Sequence, residues 1–177
     1  VANAPGTAFL ESSALLGFLP ALSRHLLGEE LQLPALPTWW CGERSAMEEA
    51  LARLRDCAIK PTYPGTPVHG SFDSVLGHTL SPRELDEWAG RIAQHSEEHT
   101  VQAYMPLSQM PTWQAAPPQS GNAVDAQGQV VARSVMLRVF AVSDGAQSWR
   151  VLPGGLARVA GAAPDIASMQ RGGSSAD

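Results

Sequence analysis

The sequence predicts an α+β fold of two small lobes, with packed helices beside antiparallel strand pairs. Three observations carry this expectation. Apolar residues recur at helical spacing over residues 8–27, and two capping-box patterns, at Ser45 and Ser81, announce further helices. β-branched and aromatic residues gather over 130–143, and the short segments 57–61 and 100–107 also read as strands. Asp144-Gly145 is a tight-turn signal that sends a strand back antiparallel, and regular strand–helix–strand alternation is missing.

Taken in order, Leu10, Ala14, Leu15, Phe18, Leu22 and Leu26 give the first helix a broad apolar face. Pro20 should kink or split it, and Gly28 should stop it. Residues 31–42 are broken by prolines and should run extended. Ser45-Ala46-Met47-Glu48 should cap a helix reaching about Asp56, with Met47, Ala50, Leu51 and Leu54 on one face. Cys57 to Pro61 is a short strand that its proline ends. Residues 62–79 form a loop rich in Gly, Pro, Ser and His. Ser81-Pro82-Arg83-Glu84 caps a helix to about Gln94 that buries Leu85, Trp88, Ala89 and Ile92. A strand follows at 100–107, then a long polar loop over 108–129. The strand at 130–143 turns at Asp144-Gly145 and returns over 148–153. A last short strand covers 165–170, and the tail RGGSSAD is flexible in composition.

Composition narrows the function classes. The 177 residues are 44% hydrophobic and 16% charged, enough apolar material for a core. A net charge of −5 argues against a basic nucleic-acid surface. Cys41 and Cys57 are the two cysteines, which excludes a disulfide scaffold and a four-cysteine zinc site. No apolar run reaches the ~18–20 residues of a membrane span. The opening VANAPG has neither a methionine nor a charged leader, and reads as a piece of a longer protein.

Lys60 is the most informative single residue. It ends an apolar strand and precedes the Gly-bearing loop Thr62 to Gly70, a place where an ammonium can meet phosphate and backbone N–H groups can wrap it. The competing reading is a solvated lysine at a strand end. The loop does not fit the P-loop spacing. Arg138 lies within VMLRVFAV, a segment otherwise fit for a buried strand, where a charge needs a partner or ligand. Arg158 follows Pro153-Gly154-Gly155, whose glycines permit close backbone approach. Both guanidinium groups suit phosphate or carboxylate; both also fit an exposed strand or turn. Arg171, in Met169-Gln170-Arg171-Gly172-Gly173, is a further candidate anion contact. Trp39-Trp40-Cys41-Gly42 fits a packing anchor. His95 and His99 stand four apart at a helix end without the flanking pattern of a zinc helix. Neither a G-x-S-x-G elbow nor a prominent carboxylate pair is present, which fits chemistry driven by ATP and metal with the protein positioning the reactants.

Six ordered blocks carry a family resemblance: residues 1–43, AIKP, LSQMPTW, VMLRVFAV, VLPGGLARVA and SMQRGG. Together they resemble the circularly permuted ATP-grasp type 2 family, which is similar to the synthetase domain of glutathionylspermidine synthase. The resemblance implies an ATP-grasp-like, permuted and truncated chain from an ATP-dependent carboxylate–amine ligase that works through an acyl phosphate. It implies ATP and Mg²⁺ as cofactors, carboxylate and amine substrates, no nucleic-acid or membrane partner, and a cytoplasmic location. By the same resemblance Lys60 contacts nucleotide phosphate and Gln102 lies on the adenine side. Arg138 and Arg158 face the transferred group, and Arg171 sits in a further family block. The implied organisation is a helical segment with the TWWCG linker (1–56), a first nucleotide-binding lobe (57–107), a loop (108–129) and a second lobe with its tail (130–177). Two positions depart from the family pattern: Ala103 stands where members carry Glu, and Ala176 where they carry Lys. Metal ligands are expected upstream of Val1, while Asn3 and Glu11 lie in matching blocks. The alternative reading is a non-catalytic nucleotide-binding or protein-interaction module, or an incomplete piece without activity.

Overall fold

The computed structural model describes residues 6–63, 72–114, 128–145, 148–160 and 174–176. Two compact units divide the chain, Val1–Tyr104 and Met105–Asp177. The expected boundary between 56 and 57 falls inside the first unit.

That unit begins with a 3-10 turn at Thr7–Glu11, followed by helix α1 (Leu15–Leu27). The expected helix over 8–27 is therefore divided, but not at Pro20, which stays inside α1. The division falls where the chain is tied down: the Ser13 N–H donates to Thr62 O (3.0 Å) and Ser13 Oγ to Pro61 O (2.7 Å). One missing intrahelical bond at a proline is outweighed here by tertiary anchoring. Gly28 ends α1 in the left-handed conformation (φ +70°), where a Cβ would be strained.

Strand β1 (Thr38–Trp40), helix α2 (Arg44–Leu51), strands β2 (Cys57–Pro61) and β3 (Val75–Leu76), helix α3 (Pro82–Gln94) and strand β4 (His99–Ala103) complete the unit. The sheet order is β1-β4-β2-β3, with every pairing antiparallel. The Ser81 capping box forms: the Glu84 N–H donates to Ser81 Oγ (3.3 Å), and the Ser81 N–H to Glu84 Oε2 (2.8 Å). The Ser45 box does not. Helix α2 starts two residues earlier than that box requires, with Glu43 rather than Ser45 at the N-cap; Ser45 falls in its first turn, and its hydroxyl donates to Glu43 Oε1 (3.2 Å). The helix also stops at Leu51, short of the expected Asp56, and a 3-10 turn covers Leu54–Asp56. The strand expected over 100–107 ends at Ala103.

Side chains alternate across a strand, and directly opposed residues share a face. One face carries Trp39, Ile59 and Val101, and α2 and α3 close it. Cys41, Ala50, Leu54, Cys57, Ile59, Ile92 and Val101 form the buried core there. The other face carries Thr38, Trp40, Lys60, Thr100 and Gln102, in the register Thr38↔Gln102↔Ala58 and Trp40↔Thr100↔Lys60. Helix α1 approaches β1 closely: a Cβ on Gly17 would stand 2.6 Å from Thr38 O.

The second unit is built from strands: β5 (Gln109–Gln114), β6 (Gln129–Arg138), β7 (Ala141–Gly145), β8 (Ser148–Val151), β9 (Leu156–Val159) and β10 (Ser174–Ala176). They form a sheet of order β10-β9-β6-β5 and a separate β7–β8 hairpin. The loop expected over 108–129 thus begins with a strand. Pro111 is tolerated because β5 is an edge strand, paired among the described residues to β6 alone. The strand expected over 130–143 breaks after Arg138, and the chain leaves for the hairpin, in which Asp144 and Gly145 (φ +89°) close β7 and Gly145 pairs with Ser148, with an irregularity between Ser143 and Gly145. The strand expected at 165–170 lies outside the described residues.

Candidate functional site

On the second face of the first sheet, Lys60 Nζ donates to Gln102 Oε1 (2.6 Å). Gln102 Nε2 donates to Thr38 Oγ1 (3.0 Å), and Thr38 Oγ1 to Leu36 O (2.9 Å). The chain of bonds runs one way, from ammonium to backbone, and crosses three strands. Gln102 is buried and Lys60 half-buried. Among the described residues no carboxylate pairs with Lys60, so its partner is a neutral amide. An ammonium has three N–H donors, and one is used here. Burial lowers the Lys60 pKa from the ordinary lysine value. A partly desolvated cation with spare donors and a neutral partner has the chemistry to accept an anion.

Beside it, the Thr62 and Thr100 hydroxyls lie 3.2 Å apart, both fully buried. His99, on the core side, is stacked against Phe72 (ring centroids 5.4 Å apart) and edge-on to Trp88 (6.2 Å). Its Nδ1 lies 2.8 Å from His95 O, and its buried Nε2 has no partner among the described residues. Burial pushes its pKa down. The two thiols are pushed up by burial, Cys41 to about 11, which disfavours the thiolate form of both.

In the second unit Arg138 is opposite Leu156, and Arg158 is opposite Met136. The two arginines therefore share one sheet face as diagonal neighbours, about 7–8 Å apart at the backbone. Arg138 is exposed at the end of β6, not within a buried strand as its flanks suggested. Arg158 is half-buried, and its Nε is buried with no partner among the described residues. Arg171 and Asn3 lie outside the described residues, as does most of the loop from Thr62 to Gly70. Glu11 is exposed in the first 3-10 turn. At Ala103, where the family pattern has Glu, the N–H is already taken by Pro37 O (2.9 Å).

The threonines of this face were not read from the sequence. Their signal is the alternation Thr38-Trp-Trp40, Lys60-Pro-Thr62 and Thr100-Val-Gln102, but register alone shows that they meet. Among the described residues no group of three or more His, Cys, Asp or Glu converges as a metal site, and no helix is long and apolar enough to cross a membrane.

These features define a class: an α+β chain with a half-buried lysine on a sheet face of one unit and two arginines sharing a sheet face in the other. Residues 1–160 match the family described as circularly permuted ATP-grasp type 2, and the chain belongs to that family. It is similar to an uncharacterized protein of Synechocystis sp., 29% identical over 160 residues, which covers 90% of this chain and 30% of the relative. An uncharacterized protein of Mycobacterium tuberculosis is 30% identical over 160 residues, covering 90% of this chain and 26% of the relative. A Frankia casuarinae protein with the provisional name glutamate–cysteine ligase 2-2 is 28% identical over 179 residues, covering 100% of this chain and 18% of the relative. The chain thus spans less than a third of the length of these relatives.

Proposed function

We propose that this chain supplies the nucleotide-binding surface of an ATP-dependent carboxylate–amine ligase. Membership of the ATP-grasp family supports an ATP-dependent reaction, and the ligase name of the Frankia relative supports its type. The observation that carries the reading is the Lys60–Gln102–Thr38 chain, which holds a half-buried cation ready for phosphate.

In the reaction a substrate carboxylate oxygen attacks the γ-phosphorus of ATP, and ADP leaves. The acyl phosphate then meets an amine, whose nitrogen attacks the acyl carbon. Inorganic phosphate leaves, the nitrogen gives up a proton to solvent, and an amide remains. Lys60 holds phosphate oxygens. Gln102 orients Lys60 and borders the adenine side. Arg138 and Arg158 oppose the charge on the transferred group, where fixed cations act electrostatically, and Arg171 adds a phosphate contact. Mg²⁺ would supply charge neutralisation at the ATP phosphates in such chemistry. The described residues do not provide a carboxylate cluster for it, so no step here runs through the metal. The working location is the cytoplasm, and the partners are small carboxylates and amines, with neither nucleic acid nor membrane.

The second reading is a module that binds nucleotide without turnover. The occupied Ala103 N–H and the absent Glu side chain favour it.

Calorimetric titration of ATP with Mg²⁺ tests the site. Lys60→Ala is expected to weaken binding tenfold or more (~1.4 kcal/mol). No binding by the folded wild-type chain would overturn the proposal. Binding without turnover in the presence of carboxylates and amines would favour the second reading.

A further inference from the structure

The Lys60 face borders a pocket of about 170 Å³ within the first unit. Leu15 and Phe18 of α1 line it, together with Phe9, Trp40, Thr62 and Tyr63. Most of the lining is apolar. Phe9 (58%), Tyr63 (49%) and Phe18 (40%) keep much of their rings exposed around it. Its position is fixed by register. Trp40, Thr100 and Lys60 occupy one rung across β1, β4 and β2. Thr62 lies two residues beyond Lys60 along the chain, a step of about 7 Å.

We propose that this pocket receives the aromatic or branched aliphatic side chain of the amino-acid or peptide substrate whose carboxylate is activated beside Lys60. The inference rests on the ligase reading above and names its substrate class. Size supports it: an apolar cavity of ~150 Å³ takes one benzene ring. Polarity supports it too. The ring nitrogens and amine of a purine would be desolvated against hydrocarbon here, with few polar partners, whereas a hydrocarbon side chain loses nothing by burial. The rung then places the polar end of such a molecule on the side of the cation.

The test follows the indole N–H of Trp40, which donates to Glu97 O (3.0 Å), by NMR on the full chain, with Trp40→Phe assigning the signal. L-phenylalanine and L-leucine are expected to shift it in a saturable way, while glycine does not. Ala14→Leu, which fills the pocket, is expected to weaken the phenylalanine response tenfold or more. Phe18→Ala, which enlarges it, should move the preference towards L-tryptophan, and this variant decides the matter if Ala14→Leu does not fold. A Trp40 shift produced by adenosine in preference to phenylalanine would overturn the proposal in favour of a base pocket. Equal responses to glycine and phenylalanine, or no response to either, would also overturn it. The ATP titration separates the two claims. ATP binding that depends on Lys60 without side-chain selectivity removes the pocket inference alone. Selectivity without ATP binding keeps the apolar pocket and removes the ligase reading.

Discussion

In the first unit two helices close one face of a four-stranded sheet, and Ile59, Ile92 and Val101 lose all contact with solvent. The described residues of the second unit pair their strands as regularly, yet those buried are Ser134, Val159 and Ala160. Trp113, Leu137, Trp149 and Val151 stay at least 65% exposed. Both units satisfy backbone hydrogen bonds through their ladders. The difference is whether a second layer covers the apolar side chains. Backbone pairing contributes little net stability by itself, because water offers the same bonds, and an isolated hairpin is marginal. Among the described residues stability is therefore concentrated in the first unit, and Lys60, Gln102 and Thr38 are mounted on its sheet.

Hydrogen exchange on the full chain gives the largest expected contrast. Amides of Ile59 and Val101 should exchange at least a thousandfold more slowly (~4 kcal/mol) than those of β7 and β8, where stability is local. Similar rates in the two units would break the comparison. Core truncation comes next. Ile59→Ala should cost ~2–5 kcal/mol in denaturant unfolding, while Leu137→Ala, at an exposed strand position, should stay within ~0.5 kcal/mol. Helix capping sharpens the contrast within the first unit: Ser81→Ala should cost ~1 kcal/mol, and Ser45→Ala, which removes no cap, close to nothing.

The pH dependence is expected to be smaller. Burial is the main cause of the lowered His99 pKa, with the Arg91 charge adding to it and the His95 carbonyl and Glu98 opposing it. The unfolded chain therefore binds this proton more readily than the folded one. The His99 contribution is full above the ordinary value of 6.5 and is lost as pH falls below it, towards the lowered folded value. His99→Phe should flatten the unfolding midpoint against pH below about 6.5, the ordinary histidine value. An unchanged slope would show that other groups carry it.

How far the sequence reveals this molecule differs along the chain. Helix α3, strand β2 and the Asp144-Gly145 hairpin were legible because local signals agree: a capping box with proline at the first helical position, an apolar run, a glycine turn. Strand β5 was hidden because Pro111 argues against a central strand, and only pairing shows it to be an edge. At Ser45 a helix does form but the frame is two residues off, because α2 opens at Arg44 with Glu43 as its N-cap. Lys60 and Gln102 could be singled out from the chain, but their contact spans 42 residues. Thr38, which completes the line, is 64 residues from Gln102. Such a site exists only after the register is set, and no local pattern encodes register across β1, β4 and β2. The shared face of Arg138 and Arg158 is another product of pairing.

The central claim is that Lys60 serves a ligand at some cost to the fold, since a half-buried ammonium held by one amide is poorly compensated. Lys60→Met, measured for both ATP affinity and unfolding midpoint in the same preparation, tests it most directly. The expected result is an affinity reduced tenfold or more with a midpoint equal to or above that of the wild type. Unchanged affinity with a lowered midpoint would contradict the claim and make Lys60 a structural residue.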